Sequence, residues 1–186
     1  SYLEKYFKQK DYLKKKNIKA TVTTGPTREY IDPVRYISNE SSGKQGYEIA
    51  IALNKLGIKT TLITGPSSLI SPKGVKVKKI VSAEQMLNEV KKTLPVDLAV
   101  CTAAVTDVKP SEKIKNKIKK DKLNFKSINF IKNKDILDFL SKNNRCRPQV
   151  VAGFSAETKD VIKNSIRKMK NKNCDLMFAN DVSKKD

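Results

Sequence analysis

Histidine and tryptophan are absent from the sequence, and cysteine occurs only three times among 186 residues. Without histidine the chain has neither a Ser-His-Asp triad nor a His-ligated metal site, and it lacks the commonest general base. Catalysis would therefore depend on carboxylates, lysines, amides, hydroxyls, a bound nucleotide or a metal held by oxygen atoms. The cysteines, Cys101, Cys146 and Cys174, form no CxxC pair. This pattern argues against a zinc knuckle or a disulfide framework and fits a reducing compartment.

Long apolar segments are also missing. No run approaches the roughly 18 residues of a membrane span, and no apolar stretch follows a basic start as in a signal peptide. We therefore expect a cytoplasmic protein with no membrane partner. Its length suits one domain, and we predict a lead-in helix or linker over residues 1–17 and a single domain over residues 18–186.

Positive charge is abundant, because 39 Lys and Arg residues face 19 Asp and Glu, a net charge of +20. Such a balance raises the possibility of a nucleic-acid binder. The cations are nearly all lysine and are scattered along the chain, and no zinc finger, RNP aromatic motif or KH-type loop accompanies them. We therefore expect no nucleic-acid partner and favour a small anionic substrate. A basic nucleic-acid binder remains the third alternative.

Short apolar runs alternate with longer amphipathic ones from residue 18 onward. Strands are predicted at Ile18–Thr24, Thr60–Thr64, Val75–Val81, Asp97–Ala103, Gln149–Phe154 and Cys174–Ala179, helices at Gly46–Leu56, from Ser82, at Lys134–Leu140 and at Thr158–Lys170, and an extended segment at Leu123–Ile128. Repeated strand–helix units predict an α/β fold: a Rossmann-like parallel sheet with helices on both faces, in three layers. Ligands of such sheets bind beyond the carboxyl ends of the strands.

The first polar constellation follows the first strand. Residues 25–43 are predicted to form a polar loop that ends in Ser41-Ser42-Gly43 at the mouth of a helix. Glycine amides and serine hydroxyls at a helix start can hold a phosphate or carboxylate. A turn with a helix cap is the alternative, and the length of the loop favours a function. The segment is neither a Walker A loop nor a GxGxxG fingerprint.

Three further constellations follow later strands. Small residues from Cys101 to Ala104 permit close approach of a ligand, and Asp107 could accept from hydroxyls or position a cation, or simply cap a turn. Cys101 itself is interpreted as a buried hydrophobe rather than a nucleophile. A lysine-rich loop holds KIKK at 117–120, which could be a solvated charge run. The last constellation comprises GFSAET at 153–158, two lysines one helical turn apart and ANDVS at 179–183.

Taken in this order, the constellations resemble the phosphopantothenate-cysteine ligase family, also called phosphopantothenoylcysteine synthetase. The most specific match is GPTREYIDPVRYISNESSGKQGY at 25–47. AAVTD at 103–107 resembles the family's AAVAD with one conservative change, GFSAET resembles GFAAET, and ANDVS matches as it stands. The resemblance covers about residues 18–183. In many bacteria this domain is the C-terminal half of a bifunctional flavoprotein of coenzyme A biosynthesis.

The resemblance implies a ligase that activates the carboxylate of 4′-phosphopantothenate with CTP and Mg²⁺, releasing pyrophosphate. The amine of cysteine then displaces CMP from the acyl-nucleotide. It also implies a homodimer and a separate or fused decarboxylase partner. Because the contacts to the base would be made largely by the backbone, the sequence does not decide whether CTP or ATP is the co-substrate. The alternative is a catalytically incomplete nucleotide-binding relative with a regulatory or assembly role.

Two residues match the catalytic positions of the family. Asn39 matches its catalytic asparagine, with a buried structural asparagine as the alternative. Lys117 lies ten residues after Asp107, as the activating lysine does, and Lys113 is the competing candidate.

The remaining assignments are also carried over from the resemblance. The nucleotide-binding residues would be Gly25, Ser41, Gly43, Gly46, Cys101, Thr102, Ala103, Asp107, Lys134, Asp135, Ile136, Leu137, Phe154, Lys168, Lys172 and Asn180. The substrate-binding residues would be Arg35, Asn39, Ala103, Ala104 and Asp107, with Arg35 reaching across a dimer interface. Phe154 would pack on the base, and Lys168 and Lys172 would neutralise phosphates. No metal ligands are assigned.

The chain departs from the family pattern in three places. Asn133-Lys134-Asp135 replaces the usual Asn-Pro-Asp, which weakens the base assignment. No decarboxylase half precedes residue 1, so we expect no FMN in this chain. The sequence stops soon after ANDVS, so we expect it to lack the C-terminal extension of the family.

Overall fold

The computed structural model of the protein describes residues 8, 11–12, 16–119, 128–142 and 145–183. Residues 8, 11 and 12 of the predicted lead-in segment are helical, and most of that segment lies outside the described residues. The predicted extended segment at 123–128 also lies outside them, except for Ile128, which is in no strand. The division into a lead-in and one domain stays a prediction.

Strands and helices alternate through the described residues. The strands are β1 Lys19–Thr24, β2 Arg28–Asp32, β3 Arg35–Ser38, β4 Lys59–Thr64, β5 Lys76–Lys79, β6 Leu98–Cys101, β7 Val108–Pro110, β8 Phe130–Lys132, β9 Val150–Glu157 and β10 Leu176–Asp181. The helices are α1 Lys44–Lys55, α2 Ala83–Thr93, α3 Ile136–Ser141 and α4 Val161–Lys172.

Six strands form one parallel sheet in the order β10-β9-β6-β1-β4-β5. The chain builds the sheet outward from β1 in one direction, through β4 and β5, and then returns to build the other half from β6. This is the strand order of the Rossmann fold, and it confirms the predicted fold class. The carboxyl ends of β1 and β6 border the crevice where such sheets bind ligands.

The two faces of the sheet carry separate apolar cores. On one face, Val22, Leu62 and Val100 pack against Tyr47 and Ala50 of α1. On the other face, the core consists of residues from the sheet, α2 and α3: Ile63, Ala99, Val151, Met86, Val90, Leu137 and Leu140. Residues of β4, β6 and β9 thus contribute to both cores, whereas β1 contributes Val22 to the first core and is otherwise rich in buried threonines. This explains why these strands read as nearly continuous apolar or threonine-rich runs.

Two antiparallel hairpins were not predicted. β2 and β3 pair within the segment expected to be a polar loop, and β7 pairs with β8. The first hairpin escapes sequence analysis because two of its buried side chains, Glu29 and Asp32, are carboxylates instead of apolar groups. The predicted loop at 25–43 is therefore wrong as a description of that segment.

Element boundaries shift where side chains cap or extend them. The predicted helix at 134–140 begins at Ile136, because the Asp135 carboxylate accepts a hydrogen bond from the Asp138 amide at 2.8 Å. The helix predicted to start at Thr158 starts at Val161, and β9 continues to Glu157.

Candidate active site

A cavity of about 550 Å³ opens at the carboxyl edge of the sheet. Its floor is the ends of β1 and β6, and its walls come from the β7–β8 hairpin, α3, β9 and α4. Predicted nucleotide-binding residues that line it are Cys101, Ala103, Asp107, Lys134, Asp135, Ile136, Leu137, Phe154, Lys168 and Lys172. The topology therefore brings together residues from four separate segments of the chain.

One wall of this cavity is held by an ion pair. Lys172 Nζ lies 2.8 Å from Asp135 Oδ2 and 3.7 Å from Asp138 Oδ1. Burial tends to raise the pKa of Asp135, but the hydrogen bonds from the Asp138 amide and from Lys172 outweigh it and lower that pKa. The hydrogen bond to Asp135 in turn raises the pKa of Lys172. The charge of Lys172 is thus largely balanced within the wall.

Lys168 and Phe154 form the neighbouring part of the wall. Lys168 Nζ donates to the Phe154 carbonyl at 3.2 Å, a partner that carries no net charge, so its positive charge can act on an added phosphate. The Phe154 ring stacks on Phe178, with centroids 4.8 Å apart and an interplanar angle of 20°. One face of Phe154 is therefore already covered, and a base would have to pack against what remains of the ring.

Cys101 lies on the floor of the cavity as a neutral thiol. Burial raises the pKa of Cys101 to about 12, against a smaller lowering effect of a hydrogen bond involving Thr23. A thiol with such a pKa carries almost no thiolate near neutral pH and is a poor nucleophile. The neutral thiol agrees with the interpretation of Cys101 as a small hydrophobe and not a nucleophile, although the residue is half-buried and not fully buried.

A second, smaller cavity of about 240 Å³ lies at the start of α1. Thr24, Ser41, Gly43 and Thr102 line it together with Ser42, Lys44 and Gln45. Gly43 is the N-cap of the twelve-residue helix and has a φ of 77°, a left-handed conformation that favours glycine. Ser41 Oγ accepts from the Gly43 amide at 3.3 Å, so the serine hydroxyls are part of the helix start.

The two cavities adjoin each other. Thr23 and Cys101 line the larger one, whereas their chain neighbours Thr24 and Thr102 line the smaller one. Thr102 Oγ1 donates to the Thr23 carbonyl at 2.8 Å and joins the two strand ends. A ligand at this edge could therefore reach both the α3–α4 wall and the start of α1.

Gly25 and Gly46 lie where other parts of the chain approach closely, the main chain of Gly65 at Gly25 and threonine side chains at Gly46. A methyl group on Gly46 would lie 2.3 Å from Thr24 Oγ1, and one on Gly25 would lie 3.3 Å from the Gly65 amide nitrogen. Both glycines therefore allow α1 and the strand ends to pack together. Neither lines a described cavity, and their assignment as phosphate contacts stays a prediction, as does that of Asn180, a half-buried residue of β10.

The predicted substrate residues lie in two places. Asn39 is exposed beyond the end of β3, and its amide donates to the carbonyl of Val105, a wall residue of the large cavity, at 3.0 Å. Ala104 directly precedes Val105 in the chain, and its amide donates to the Gly25 carbonyl at 3.0 Å. Ala103 and Asp107 line the large cavity, so the four residues lie at its rim or next to a residue of that rim.

Arg35 and Lys117 lie elsewhere. They line a cleft of about 280 Å³ with Ile118 and Lys119. Asn39 is four positions after Arg35, which corresponds to about 13 Å between the two Cα atoms along an extended chain. Within one chain the structure does not bring Lys117 and Asn39 into one cavity, so their joint action stays a prediction. Lys113 precedes Ile114, whose amide donates to the Ile31 carbonyl at 3.1 Å on the same hairpin.

Several residues that shape the rim of the large cavity through backbone contacts were not predicted from the sequence. Asn133 donates to the Thr106 carbonyl at 2.8 Å and thereby ties the end of β8 to the segment after β6. Val105, Thr106, Val108 and Lys132 also line the large cavity. The departure of Asn133-Lys134-Asp135 from the family pattern draws attention to this segment. The hydrogen bond from Asn133 to Thr106 could not be predicted from it, because that bond depends on the pairing of β7 with β8.

Within the described residues, no three or more Cys, Asp or Glu side chains form a group that could hold a metal ion. Mg²⁺ commonly binds through substrate phosphates and only one or two carboxylates. Asp107 is the candidate carboxylate for such a contact, because it lines the large cavity and is exposed. Among the same residues, no helix is both long and apolar enough to cross a membrane.

Comparisons with known proteins agree on one family. The family model described as the DNA/pantothenate metabolism flavoprotein C-terminal domain matches residues 15–186. The coenzyme A biosynthesis bifunctional protein CoaBC of Borreliella burgdorferi is 42% identical over 178 residues, which are 95% of this chain and 45% of the relative. The CoaBC protein of Escherichia coli is 41% identical over 174 residues, 90% of this chain and 42% of that protein. The chain thus spans slightly less than half the length of these curated relatives.

Solved structures support the same relationship. The crystal structure of the C-terminal domain of CoaBC superposes with a TM-score of 0.74 at 35% identity, over 86% of this chain and 75% of that one. A Cab2 mutant in complex with phosphopantothenate-cysteine gives a TM-score of 0.72 at 15% identity, over 98% of this chain and 80% of that one. At that identity the second match shows the fold alone.

Proposed function

Because this chain belongs to the family of the DNA/pantothenate metabolism flavoprotein C-terminal domain, we propose that it is a ligase of coenzyme A biosynthesis that joins 4′-phosphopantothenate to L-cysteine. CTP is the proposed co-substrate and arrives with Mg²⁺. We further propose that the active form is a cytoplasmic homodimer that works with a separate or fused decarboxylase. The relatives named for this pathway and the cavity at the carboxyl edge support the proposal.

The observation that carries the proposal is the pair of adjoining cavities between β1 and β6. The larger has room for a nucleoside, with Phe154 and Lys168 on its wall, and the smaller lies where the amides and the positive dipole end of α1 favour phosphates. Asp107 lines the larger cavity and Asn39 is bonded to its wall residue Val105, so both would lie between a bound nucleotide and solvent. A triphosphate bound in this way would present its α-phosphorus near that rim.

The proposed reaction has two steps. A carboxylate oxygen of phosphopantothenate attacks the α-phosphorus of CTP, the bond to the bridging oxygen breaks, and pyrophosphate leaves. The amine of cysteine then attacks the acyl carbon, CMP leaves, and the amine loses a proton as the amide forms. Lys117 would offset negative charge in the first step, and Asn39 would hold the carboxyl oxygen and then the acyl-nucleotide for attack.

A half-reaction assay tests this proposal. The protein is mixed with phosphopantothenate, Mg²⁺ and each of the four ribonucleoside triphosphates, and pyrophosphate is measured before and after cysteine is added. We expect release without cysteine, strongest with CTP. Lys117→Gln should abolish that release, Asn39→Ala should impair formation of the amide, and Lys113→Gln is the matched control that should retain the rate. Full rates in both Lys117→Gln and Asn39→Ala would show the site assignment to be wrong.

A nucleotide-binding relative without catalysis is the second candidate. The separation of the Lys117 cleft from the nucleotide cavity within one chain favours it. In that case CTP should raise the melting temperature while no pyrophosphate appears with any triphosphate. Release of pyrophosphate by the wild-type protein would exclude this candidate.

A further inference from the structure

One buried carboxylate of the β2–β3 hairpin has no part in the chemistry proposed above. The side chain of Asp32, at the end of β2, has no exposed surface. A buried carboxylate needs several donors to remain charged, and Asp32 has four. The positions of these donors indicate its function.

Two donors belong to the hairpin turn itself. Oδ1 of Asp32 accepts from the amides of Val34 and Arg35, each at 2.9 Å. This is the local turn geometry that aspartate commonly stabilises. These two bonds explain why a short polar side chain lies at position 32, but they involve only one of its oxygens.

The other oxygen bridges to a distant part of the chain. Oδ2 accepts from the Ile118 amide at 3.2 Å and is ion-paired with Arg35 Nη1. Arg35 Nη1 also donates to the Ile118 carbonyl at 3.4 Å. Asp32 and Arg35 therefore hold both polar backbone atoms of the residue that follows Lys117.

The electrostatics agree with this geometry. Burial tends to raise the pKa of Asp32, but hydrogen bonds from the Val34 and Ile118 amides and from Arg35 outweigh that effect and lower the pKa. The carboxylate is therefore ionised at neutral pH, when it can accept from all four donors. The chain just before Lys117 is also attached to the hairpin, because the Ile114 amide donates to the Ile31 carbonyl at 3.1 Å.

We propose that Asp32 is a positioning residue that docks the segment 114–118 on the β2–β3 hairpin and so places Lys117 beside Arg35. The proposal rests on the ligase function proposed above. Asp32 itself touches no substrate; it acts through the Ile118 peptide and the Arg35 guanidinium. The cleft lined by Arg35, Lys117 and Lys119 has three positive charges, and without the Asp32 bridge these cations would repel one another and separate.

Glu29 provides a contrast on the same strand. Its side chain is also buried, but Oε1 accepts from the amide of Ala83, the first residue of α2, at 2.8 Å. Glu29 thus secures the start of a core helix, and its bond to Ala83 does not involve the segment 114–118. Removal of its charge should lower stability without affecting Lys117.

Asp32→Asn tests the proposal with almost no change in shape. The asparagine oxygen can still accept from Val34 and Arg35, but its NH₂ group cannot accept from Ile118 and cannot pair with the guanidinium. We expect the CTP dissociation constant to stay within about twofold of wild type, kcat of pyrophosphate release to fall at least tenfold, and KM for phosphopantothenate to rise. Asp32→Glu, which keeps two acceptor oxygens and the charge, should recover part of kcat. Glu29→Gln, the matched control, should lower the melting temperature and retain kcat.

A second measurement does not depend on the reaction. Hydrogen exchange of the Ile118 amide should accelerate at least tenfold in Asp32→Asn and remain at the wild-type rate in Glu29→Gln. If the wild-type protein releases no pyrophosphate, the proposed function fails while the exchange result still tests the docking. An active wild type with unchanged kcat in Asp32→Asn, or unchanged exchange at Ile118, would overturn the inference. Equal losses of CTP affinity and kcat would also overturn it, because they would indicate general unfolding.

Discussion

Replacement of Gly46 by alanine should destabilise the protein, although the same change in an exposed helix normally stabilises it. Gly46 is buried in the first turn of α1. A methyl group there would lie 2.3 Å from Thr24 Oγ1, 2.4 Å from Thr24 Cβ and 2.5 Å from Thr102 Oγ1. Ordinary contacts begin near 3.4 Å, so the overlap is about 1 Å on two side chains.

Neither threonine can rotate away without loss of a hydrogen bond. Thr24 Oγ1 donates to the Gly43 carbonyl at 2.8 Å, and Thr102 Oγ1 donates to the Thr23 carbonyl at 2.8 Å. Alanine gains about 1 kcal/mol of helix propensity, whereas overpacking costs about 1–3 kcal/mol and a lost hydrogen bond about 1 kcal/mol more. The net loss of about 1–3 kcal/mol corresponds to a fall in melting temperature of about 3–10 °C for a domain of this size.

The assay is thermal unfolding followed by circular dichroism, with a CTP titration in parallel. The control is the pair Glu48→Ala and Glu48→Gly, at an exposed position of the same helix, where alanine should be the more stable by about 1 kcal/mol. At Gly46 the order should reverse, and CTP affinity should fall because the start of α1 has moved. A melting temperature of Gly46→Ala at or above wild type, with CTP binding intact, would refute this account of the close packing.

Two further predictions concern the large cavity. Burial raises the pKa of Cys101 from 9.0 to about 12. Cys101 should therefore react with iodoacetamide at pH 8 about a thousandfold more slowly in the folded protein than in denaturant. Mass spectrometry of the alkylated peptide checks this, and equal rates would contradict it. Lys172→Met should lower the free energy of unfolding by about 0.5–1 kcal/mol, since the pair is partly exposed. Because the pKa of Asp135 is lowered and that of Lys172 is raised, both groups stay charged between about pH 5 and 9, and the loss of stability should be constant there. Below pH 3.8, the ordinary pKa of an aspartate, acid begins to protonate Asp135 and the loss should shrink. Urea titrations at pH 3 and pH 7 measure it, and an equal difference at both would count against the pair.

The sheet could be predicted because its signals are local. The six parallel strands read as short apolar or β-branched runs, and the start of α2 carries its own signature. Ser82 Oγ accepts from the Gln85 amide at 3.3 Å and Gln85 Oε1 accepts from the Ser82 amide at 3.2 Å, as the Ser-x-x-Gln spacing predicts. Such contacts span three residues and depend little on the rest of the fold.

The hairpins could not be predicted, because their pairing depends on contacts far apart in sequence. Glu29 accepts from the start of α2, and Asp32 accepts from the segment 114–118 as well as from its own turn. In the sequence the same carboxylates have the appearance of a polar loop. The donor in α2 lies 54 residues from Glu29 and the donor Ile118 lies 86 residues from Asp32, a separation at which periodicity carries no information.

The candidate site shows the same division. The resemblance of motifs selects residues that the topology then collects around one cavity, from Cys101 to Lys172. It cannot show that Lys172 already has two carboxylate neighbours, or that Lys117 lies beside Arg35 and not beside Asn39. The first fact depends on the packing of α4 against α3, and the second depends on the contacts of the β2–β3 hairpin with the segment 114–118; no single motif encodes either.

Lysine density alone would point to the amino end of the sheet instead of the proposed site. A cleft of about 370 Å³ at the amino ends of β1, β4 and β5 is lined by five lysines, Lys19, Lys59, Lys76, Lys78 and Lys92, and by one carboxylate, Glu89, which is 2.6 Å from Lys92. That cleft has more lysines than the large cavity at the carboxyl edge, but it lies neither at the start of a helix nor at the crevice where the strand order reverses. Flexible lysines attract any anion weakly, and salt screens them, whereas the fixed amides of α1 and the crevice between β1 and β6 select shape and orientation. These features favour the carboxyl edge as the proposed specific site because of its backbone, and the net charge of +20 adds only a general attraction for anions.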